Sequence, residues 1–372
     1  MASKRIWIVA FEFLPFPGGQ ATYAVEMARA FKQLGHHVTV IAPRYDNSND
    51  KLESFEVKRV FEHQRLTFSV VVTIGRALWP VQQDDLVLAA DIRAGIITTL
   101  LRPLRPFTKI VMFHGGEIKR SEYSLFAKFS NWLASINAKK IVANSSYTAQ
   151  LVKAHIGGNP QVTLLGTARY WLKPATGAFE NETLRNLDPA IPVVCTVARL
   201  ESRKGHLVAM KALGQIAKQS SLTFKYVICG KAIYEDYTRE VLRGVAALPE
   251  KFLYVGALSK DDVRRLYARS RVMILAAQEE PGFVEGFGLV ITEAGAQGCP
   301  SISTRVGGIA DAVIDGVTGL LYDPNDIDGL AAGIERLLSN GVERDHLGRE
   351  ARKYAESLTW QATAINTLRE IT

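Results

Sequence analysis

The feature that most constrains the fold is a regular alternation of short, β-rich apolar runs with segments of helical periodicity. In the first half, apolar runs occur at 5–11, 36–43, 85–90, 109–115 and 139–145. Amphipathic segments lie between them, and the first of these predicts a helix at about 20–34. Apolar strands that alternate with helices pair in parallel and are covered on both faces. The pattern therefore predicts a doubly wound α/β domain.

The same alternation restarts in the second half of the chain. Residues 164–190 lose the periodicity, and apolar runs then recur at 191–200, 224–230, 251–257, 272–277 and 299–305. A chain of 372 residues is also too long for one ordinary core. We predict two Rossmann-like doubly wound domains that face a cleft, with these boundaries: an N-terminal domain at 1–170, a linker at 171–188, a C-terminal domain at 189–356 and a final helix at 357–372.

Composition narrows the class of protein. Hydrophobic residues make up 47% and charged residues 22% of the chain, which is typical of a globular protein. The apolar runs are shorter than the ~18–20 residues of a membrane span, and the N-terminus enters a strand pattern without the apolar stretch of a signal peptide. The three cysteines, Cys195, Cys229 and Cys299, form no metal or disulfide pattern and are expected to be buried free thiols. A cytoplasmic protein is expected.

Charge is distributed unevenly along the chain. Residues 1–175 contain 22 Lys and Arg against 12 Asp and Glu, whereas the remainder contains 23 against 25. A basic first half suggests contact with something anionic, such as a phosphorylated substrate, an anionic membrane surface or nucleic acid. A solvated basic surface is the alternative. The chain has no nucleic-acid-binding motif, so no nucleic-acid partner is expected.

Two segments have features that suit phosphate binding. Gly18 and Gly19 follow the first strand and open the first helix, where backbone N–H groups can meet an anion. Arg199 and Lys204 follow the first strand of the second domain and can point at one site. A plain tight turn and an ordinary charged loop remain the alternatives for these two segments.

The stretch 279–304 carries the strongest signal for a binding site. Glu285 and Glu293 are eight residues apart, and Gly286 and Gly288 between them mark the start of a helix. Glycines there leave N–H groups free for a pyrophosphate, and a carboxylate further along can bind a ribose diol. Two glutamates near a helix start can also reflect only a favourable dipole interaction, but the intervening GFG and the apolar helix argue against this.

Two further segments of the first domain have two interpretations each. His114 and Glu117 end a strand and are candidates for facing the cleft, although a lone His after a strand is often structural. Residues 124–140 place apolar side chains at helical spacing together with lysines. That helix fits either an interfacial membrane helix or a helix packed on the sheet, and we expect core packing.

Taken together, these segments resemble the family 4 glycosyltransferases, which are retaining enzymes of the GT-B fold. The resemblance covers nearly the whole chain and rests on FPGGQATYAVEMARAF, TVARLESRKG, EGFGLVITEA, VGGIADAVIDGVTGLLYDP and the closing SLTWQATAINTLREI. It implies that the final helix crosses back to the first domain. The chain departs from the family at LLGTARYW before the linker, at Ala310-Asp311 and at CGKAIYE, and no candidate catalytic residue is lost there.

The resemblance implies roles for residues of the second domain. Arg199 and Lys204 would hold the donor diphosphate and stabilise the leaving group. Glu293 would bind the ribose hydroxyls. No metal or other cofactor is implied, because cationic side chains and helix dipoles would offset the charge. Backbone amides would come from four consecutive residues: Gly286, Phe287, Gly288 and Leu289.

It also implies roles near the transferred sugar. Glu285 would bind the sugar, His114 would contact it near the anomeric centre, and Gly18 and Gly19 would close over the phosphates. FHGGE resembles members that add mannose to lipid acceptors, which makes Glu117 a candidate on the acceptor side.

The resemblance thus implies a hexosyltransferase that transfers a hexose from a nucleotide sugar to a glycan or lipid-linked acceptor. GDP-mannose is favoured over UDP-glucose as the donor. A peripheral association with the inner face of the cell membrane would account for the basic half. The alternatives are a nucleotide-sugar-binding scaffold and a sugar-nucleotide epimerase or hydrolase on the same fold.

Overall fold

Two parallel β-sheets organise the chain in a computed structural model, which describes residues 3–16, 18–46, 50–62 and 65–371. The chain forms two compact units. The first consists of Met1–Gly166, Pro281–Gly286 and Thr359–Thr372, and the second of Thr167–Glu280 and Phe287–Leu358. Each is built on its own sheet, so the predicted pair of doubly wound parallel-sheet domains is confirmed.

The first sheet has seven described strands in the order β3-β2-β1-β4-β5-β6-β7, and all neighbours are parallel. Its strands and helices, with α16 returning from the end of the chain, are β1 Arg5–Val9, α1 Gly19–Gln33, β2 His37–Pro43, β3 Glu56–Phe61, α2 Phe68–Ala77, β4 Leu86–Ala89, α3 Ile92–Leu101, β5 Thr108–Phe113, α4 Gly116–Lys119, α5 Leu125–Ser135, β6 Lys140–Ala143, α6 Ser146–Ile156, β7 Gln161–Val162 and α16 Trp360–Leu368.

The second sheet has six described strands in the order β10-β9-β8-β11-β12-β13, again all parallel. Its strands and helices are α7 Arg169–Leu172, α8 Glu182–Arg185, β8 Val193–Val197, α9 His206–Gln219, β9 Lys225–Cys229, α10 Glu235–Ala247, β10 Phe252–Tyr254, α11 Lys260–Arg269, β11 Ser270–Leu275, α12 Leu289–Ala296, β12 Ser301–Thr304, α13 Ile309–Ala312, β13 Gly319–Tyr322, α14 Ile327–Ser339 and α15 Gly341–Ser357.

The strands predicted from apolar runs are present in both sheets, and the first predicted helix is α1. Sequence analysis missed β3, β7 and β13, each of which lies at an edge of its sheet. β13, with the sequence GLLY, is mostly buried but only four residues long, whereas β3 and β7 are partly exposed and lack a continuous apolar run. The EVKRVF sequence of β3, with only its last residue buried, illustrates this.

The expectation that the helix in 124–140 packs its apolar residues in the core is wrong for four of them. Leu125, Phe126, Phe129 and Trp132 expose 86%, 79%, 55% and 49% of their surface. The helix packs instead through small and polar side chains, since Asn131 and Ala134 are its buried residues.

The three cysteines are buried and unbridged, as expected. Within the described residues, no helix combines the length and the apolar character that crossing a membrane requires.

Candidate functional site

His114 lies directly after β5, at the carboxyl edge of the first sheet. Its Nε2 atom is 2.8 Å from the carbonyl oxygen of Ala90, which follows β4. A carbonyl oxygen only accepts, so Nε2 carries the proton and Nδ1 of the neutral ring is left as an acceptor. The buried ring of Tyr23 from α1 meets the imidazole edge-on at 5.1 Å between centroids. These contacts fix the orientation of a ring that presents Nδ1 as an acceptor.

The Glu117 carboxylate turns back towards the end of β5. One of its oxygens accepts a hydrogen bond from the backbone N–H of His114. In the first turn of α4 a carboxylate is also favoured by the helix dipole. Glu117 therefore stabilises the turn that carries His114, and its proposed contact with an acceptor stays a prediction.

The segment Pro281–Gly286 belongs to the first unit and brings Glu285 to the same place. A Cβ atom on Gly286 would overlap the carbonyl oxygen of His114 and lie 2.9 Å from the Asn144 side-chain nitrogen. A Cβ on Gly115 would likewise lie 3.2 Å from the Gly286 Cα. Backbone-to-backbone packing at this distance requires glycine. Because Gly286 packs against the His114 backbone, Glu285, the preceding residue, lies close to His114.

Sequence reasoning missed Asn144 at the end of β6. This buried side chain donates from Nδ2 to the His114 carbonyl oxygen at 3.2 Å. Its Oδ1 atom is buried and has no hydrogen-bond partner among the described residues. The signal available was a polar pair, Asn144-Ser145, directly after an apolar strand.

The glycine turn before α1 lies beside a carboxylate. A Cβ on Gly18 would lie 3.4 Å from Glu12 Oε2, whereas one on Gly19 would meet nothing within 4 Å. Glu12 also forms an ion pair with Arg93 at 3.6 Å. A carboxylate here opposes a phosphate unless Arg93 offsets it, and it suits a hydroxyl group that donates to it.

In the second unit, Glu201 organises the basic loop after β8. Its two carboxylate oxygens pair with Arg199 at 3.0 Å and with Arg203 at 2.7 Å. Glu201 is buried, while about half of the Arg199 side chain is exposed. The remaining Arg199 donors can therefore reach a ligand from a fixed position. Sequence reasoning did not assign a role to Glu201, although it lies inside the segment that was singled out.

Lys204 comes immediately before Gly205, the N-cap residue of α9. Gly205 has φ +71°, and a Cβ there would overlap the carbonyl oxygen of Ala276. The backbone N–H of Gln278 also bonds to the Arg203 carbonyl oxygen at 2.9 Å. The loop is thus held against the chain after β11, and Lys204 lies at the N-terminus of α9.

Helix α12 contains Glu293, the second glutamate of the pair Glu285 and Glu293. Its N-cap residue is Gly288, and the Phe287 side chain is buried, so Phe287 can offer a ligand only its backbone. Burial raises the pKa of the Glu293 carboxyl group to about 7, an effect that Lys260 partly opposes. A carboxyl group with this pKa exchanges its proton near neutral pH.

Three helices that start at candidate ligand-binding segments have, within the part of the chain that the structure describes, no side-chain cap at their N-termini. The N-cap residues of α1, α9 and α12 are glycines, and among the described residues no side chain caps these helices. The short helices α4 and α13 also have uncapped glycine N-caps. Side-chain oxygens do cap α2, α3, α5 and α6, from Thr67, Asp91, Ser124 and Ser145. Uncapped N-termini leave N–H groups and the positive end of the dipole available for an anion.

The predicted site residues therefore fall into two sets. The first unit contains six of them: Gly18, Gly19, His114, Glu117, Glu285 and Gly286. The second contains the other six: Arg199, Lys204, Phe287, Gly288, Leu289 and Glu293. Within the first unit the structure brings His114, Glu117 and the Gly286 backbone together, and within the second it places Lys204 and Leu289 at uncapped helix starts.

Models of two protein families match successive parts of the chain. Residues 17–165 match the model described as Glycosyltransferase Family 4, and residues 182–354 match Glycosyl transferases group 1. Together the two matches include every predicted site residue.

Curated relatives support the same assignment at low identity. A D-inositol 3-phosphate glycosyltransferase of Paenarthrobacter aurescens is 28% identical over 62% of the chain. That alignment spans 56% of the relative, so the chain matches about half of its length. An uncharacterized glycosyltransferase of Methanocaldococcus jannaschii is 22% identical over 98% of the chain and 97% of its own length.

Solved structures share the fold over nearly the whole chain. Sucrose-phosphate synthase from Thermosynechococcus elongatus superposes with a TM-score of 0.80 at 22% identity, covering 97% of this chain and 96% of its own. Anabaena HepE, crystallised with UDP and glucose, superposes with a TM-score of 0.79 at 17% identity over 99% of both chains.

Proposed function

Because this chain is a GT-B glycosyltransferase of the family 4-like type, we propose that it transfers a hexose from a nucleoside diphosphate sugar to a glycan or lipid-linked acceptor. We further propose a retaining reaction that needs no metal ion, with GDP-mannose favoured over UDP-glucose. The observation that carries the proposal is that α9 and α12, two helices of the second unit, have glycine N-caps and no side-chain cap among the described residues, with Arg199 and Lys204 just before the first of them.

The diphosphate of the donor would bind in the second unit. Arg199, oriented by Glu201, would supply a guanidinium fork, and Lys204 would supply a point charge. N–H groups at the starts of α9 and α12 would bind the remaining phosphate oxygens. These positive groups would stabilise the negative charge that develops on the leaving diphosphate, which is the role that a metal ion takes elsewhere.

The sugar would be bound by residues of the first unit. His114 presents Nδ1 as an acceptor, which can take a hydrogen bond from a sugar hydroxyl. The carboxylate of Glu285 can accept from other hydroxyls. Retention would follow from attack on the same face that the diphosphate leaves. The departing phosphate oxygen would then take the proton of the acceptor hydroxyl, and the cleaved glycosidic bond would be replaced by the new one.

The nature of the donor is tested by thermal unfolding with UDP, GDP, ADP, dTDP and NAD in the presence of EDTA. A ligand at ~100 times its Kd adds about 2.7 kcal/mol to the stability of the folded state. We expect one nucleoside diphosphate to raise Tm by several degrees. Arg199→Ala should abolish that rise while leaving the Tm of the ligand-free protein within about a degree.

Two results would contradict the proposal. A shift with NAD alone would indicate an oxidoreductase, and a shift that requires an added divalent cation would contradict the metal-free diphosphate site. Product analysis completes the test, because release of free or altered sugar without an acceptor would indicate the hydrolase or epimerase alternative.

Nucleoside diphosphate binding is expected to weaken as pH falls below about 7. The ribose hydroxyls donate to Glu293, which must be ionised to accept from both, and its pKa in the free protein is about 7. Protonation therefore competes with binding, and log Kd should rise by up to ~1 per pH unit below that value. Calorimetric titration at several pH values between ~5.5 and 8 measures this.

Glu293→Gln provides the matched control for that titration. The ligand's own phosphate titrates at about 6, so part of the pH dependence belongs to the ligand. The glutamine variant should bind the nucleoside diphosphate more weakly than the wild-type protein at pH 8. Its remaining pH dependence should be only that of the ligand's phosphate. Identical pH profiles for both proteins would exclude Glu293 from the ribose site.

A membrane-associated acceptor is the part of the proposal that accounts for the charge distribution. The excess of Lys and Arg lies in residues 1–175, before the diphosphate-binding segments of the second unit. A lipid-linked phosphate or pyrophosphate at an anionic membrane surface would be attracted to such a domain.

A further inference from the structure

An exposed row of apolar side chains runs along α5 of the first unit. The row, called here the α5 ridge, consists of Leu125, Phe126, Phe129 and Trp132. The rings of Phe129 and Trp132 lie 5.7 Å apart and contact each other. Residues spaced by three or four lie on one side of a helix, so the ridge forms a continuous apolar stripe rather than scattered exposed residues.

The adjacent helix also carries exposed apolar side chains. Helix α3 packs tightly on α5, since a Cβ on Gly95 would lie 2.8 Å from the Ala134 Cβ. At and beyond its end, Leu100 and Leu104 are exposed. The Arg105 guanidinium stacks at 4.0 Å on the ring of Trp79, which is also exposed.

The surface is basic as well as apolar. Lys128 is exposed within the ridge, and Lys139 is exposed just beyond α5. No acidic residue occurs between Asp91 and Glu117, which includes all of α3, or between Glu122 and Glu180, which includes all of α5. The bordering Glu122 is paired with Lys119 at 2.7 Å. The ridge therefore has cationic neighbours and no acidic residue of its own.

A buried lysine fixes α5 on the sheet beneath it. Lys109 of β5 is fully buried and donates to the carbonyl oxygens of Ala134 at 2.7 Å and Ile136 at 3.2 Å, at the C-terminal end of α5. It also donates to Thr99 of α3, whose hydroxyl in turn donates to the Leu133 carbonyl oxygen. The donors of the buried Lys109 side chain therefore meet three oxygens, one from α3 and two at the end of α5. The ridge is thus a preformed surface attached to the sheet.

We propose that the α5 ridge and the end of α3 dock this protein on an anionic lipid bilayer. The apolar side chains would enter the boundary between headgroups and acyl chains, and the lysines would remain at the level of the lipid phosphates. Aromatic residues together with Lys and Arg are typical of the membrane interface. Protein interfaces, in contrast, are depleted of lysine at their centres, which favours a lipid surface over a protein partner.

Vesicle co-sedimentation tests the proposal independently of donor binding and transfer. The full-length protein is mixed with vesicles of phosphatidylcholine alone or of phosphatidylcholine with phosphatidylglycerol. We expect binding to the anionic vesicles that weakens as salt increases. Leu125→Ser/Phe126→Ser should weaken it by at least ~10-fold, because two side chains lose their apolar burial. Lys128→Glu should weaken binding to the anionic vesicles alone.

Matched controls show whether the effect belongs to the ridge. Val342 of α15 is 84% exposed, so Val342→Ser removes a comparable exposed apolar group from the second unit and should leave vesicle binding unchanged. The wild-type protein should also lose tryptophan fluorescence to brominated lipid, and Trp132→Phe should show measurably less quenching than the wild-type protein. The ridge variants should keep the nucleotide-dependent rise in Tm, which separates this proposal from that of the donor site.

Three outcomes would overturn the proposal. The first is absence of binding to anionic vesicles at low salt, and the second is equal binding by the wild-type protein and the double serine variant. The third is a concentration-dependent dimer, seen by sedimentation, that the double variant abolishes, because this would assign the ridge to a second copy of the chain.

Discussion

Lys204→Ala is expected to lower kcat/KM by roughly 10²–10³-fold, with most of the loss in kcat. Lys204 lies at the uncapped start of α9, in a loop held by Gly205 against the Ala276 carbonyl oxygen. Its ammonium group would face the leaving diphosphate, whose negative charge grows as the glycosidic bond breaks. An interaction that strengthens towards the transition state affects turnover more than substrate binding.

The control for this variant is Lys211→Ala. Lys211 is exposed on the same helix, α9, and carries the same charge, so its loss should change kcat/KM by less than about twofold. Initial rates with the donor identified by thermal shift provide the measurement. A purely higher KM for Lys204→Ala, with unchanged kcat, would show that Lys204 binds the ground state and the transition state equally. An unchanged kcat/KM would remove it from the site.

Gly286→Ala is expected to lower the transfer rate by about 10²-fold or more while leaving nucleoside diphosphate binding within a few fold. The added Cβ would overlap the His114 carbonyl oxygen, so the segment that carries Glu285 must move away from the end of β5. Displacing a substrate-positioning group by ~1 Å can cost a factor of this size. Overpacking of this kind also costs about 1–3 kcal/mol of stability, which a lower Tm would report.

Gly116→Ala is the matched control for that substitution. It adds the same methyl group two residues after His114, in α4, where nothing lies within 4 Å of the new Cβ. We expect wild-type rates and an equal or slightly higher Tm. Equal activity of Gly286→Ala and the wild-type protein would show that the close approach to His114 does not position Glu285 for the reaction.

The strand ends were the most predictable part of the candidate site. His114, Arg199 and Lys204 each follow an apolar run that the structure shows as β5 or β8. Ligand sites in open α/β sheets lie at the carboxyl ends of strands, so residue type and position in the pattern were sufficient to select these side chains. The edge strands β3 and β7 were missed because partial exposure removes the apolar run on which that reasoning depends, whereas β13 is an apolar, mostly buried run of only four residues.

The supporting residues of the site could not be predicted in the same way. Glu201 and Asn144 act by pairing with Arg199 and with the His114 backbone. A buried polar residue that orients another has no characteristic spacing in the sequence, since its partner can come from anywhere in the fold. Glu201 lies two residues from its partner, whereas Asn144 lies 30 residues from its own.

The sequence by itself determined the two parallel-sheet domains. The apolar periodicity of a strand or a helix is local, so each element can be predicted from its own residues. The sequence also predicted glycines at the starts of two helices, which are α1 and α12. Only the tertiary structure decided that Pro281–Gly286 returns to the first unit and places Glu285 near His114. It likewise decided that the apolar side of α5 stays exposed, since apolar periodicity is the same whether the surface that covers it is a sheet or a membrane. Whether the apolar side of a helix is buried depends on which other element of the fold packs against it. A local sequence pattern does not contain that information.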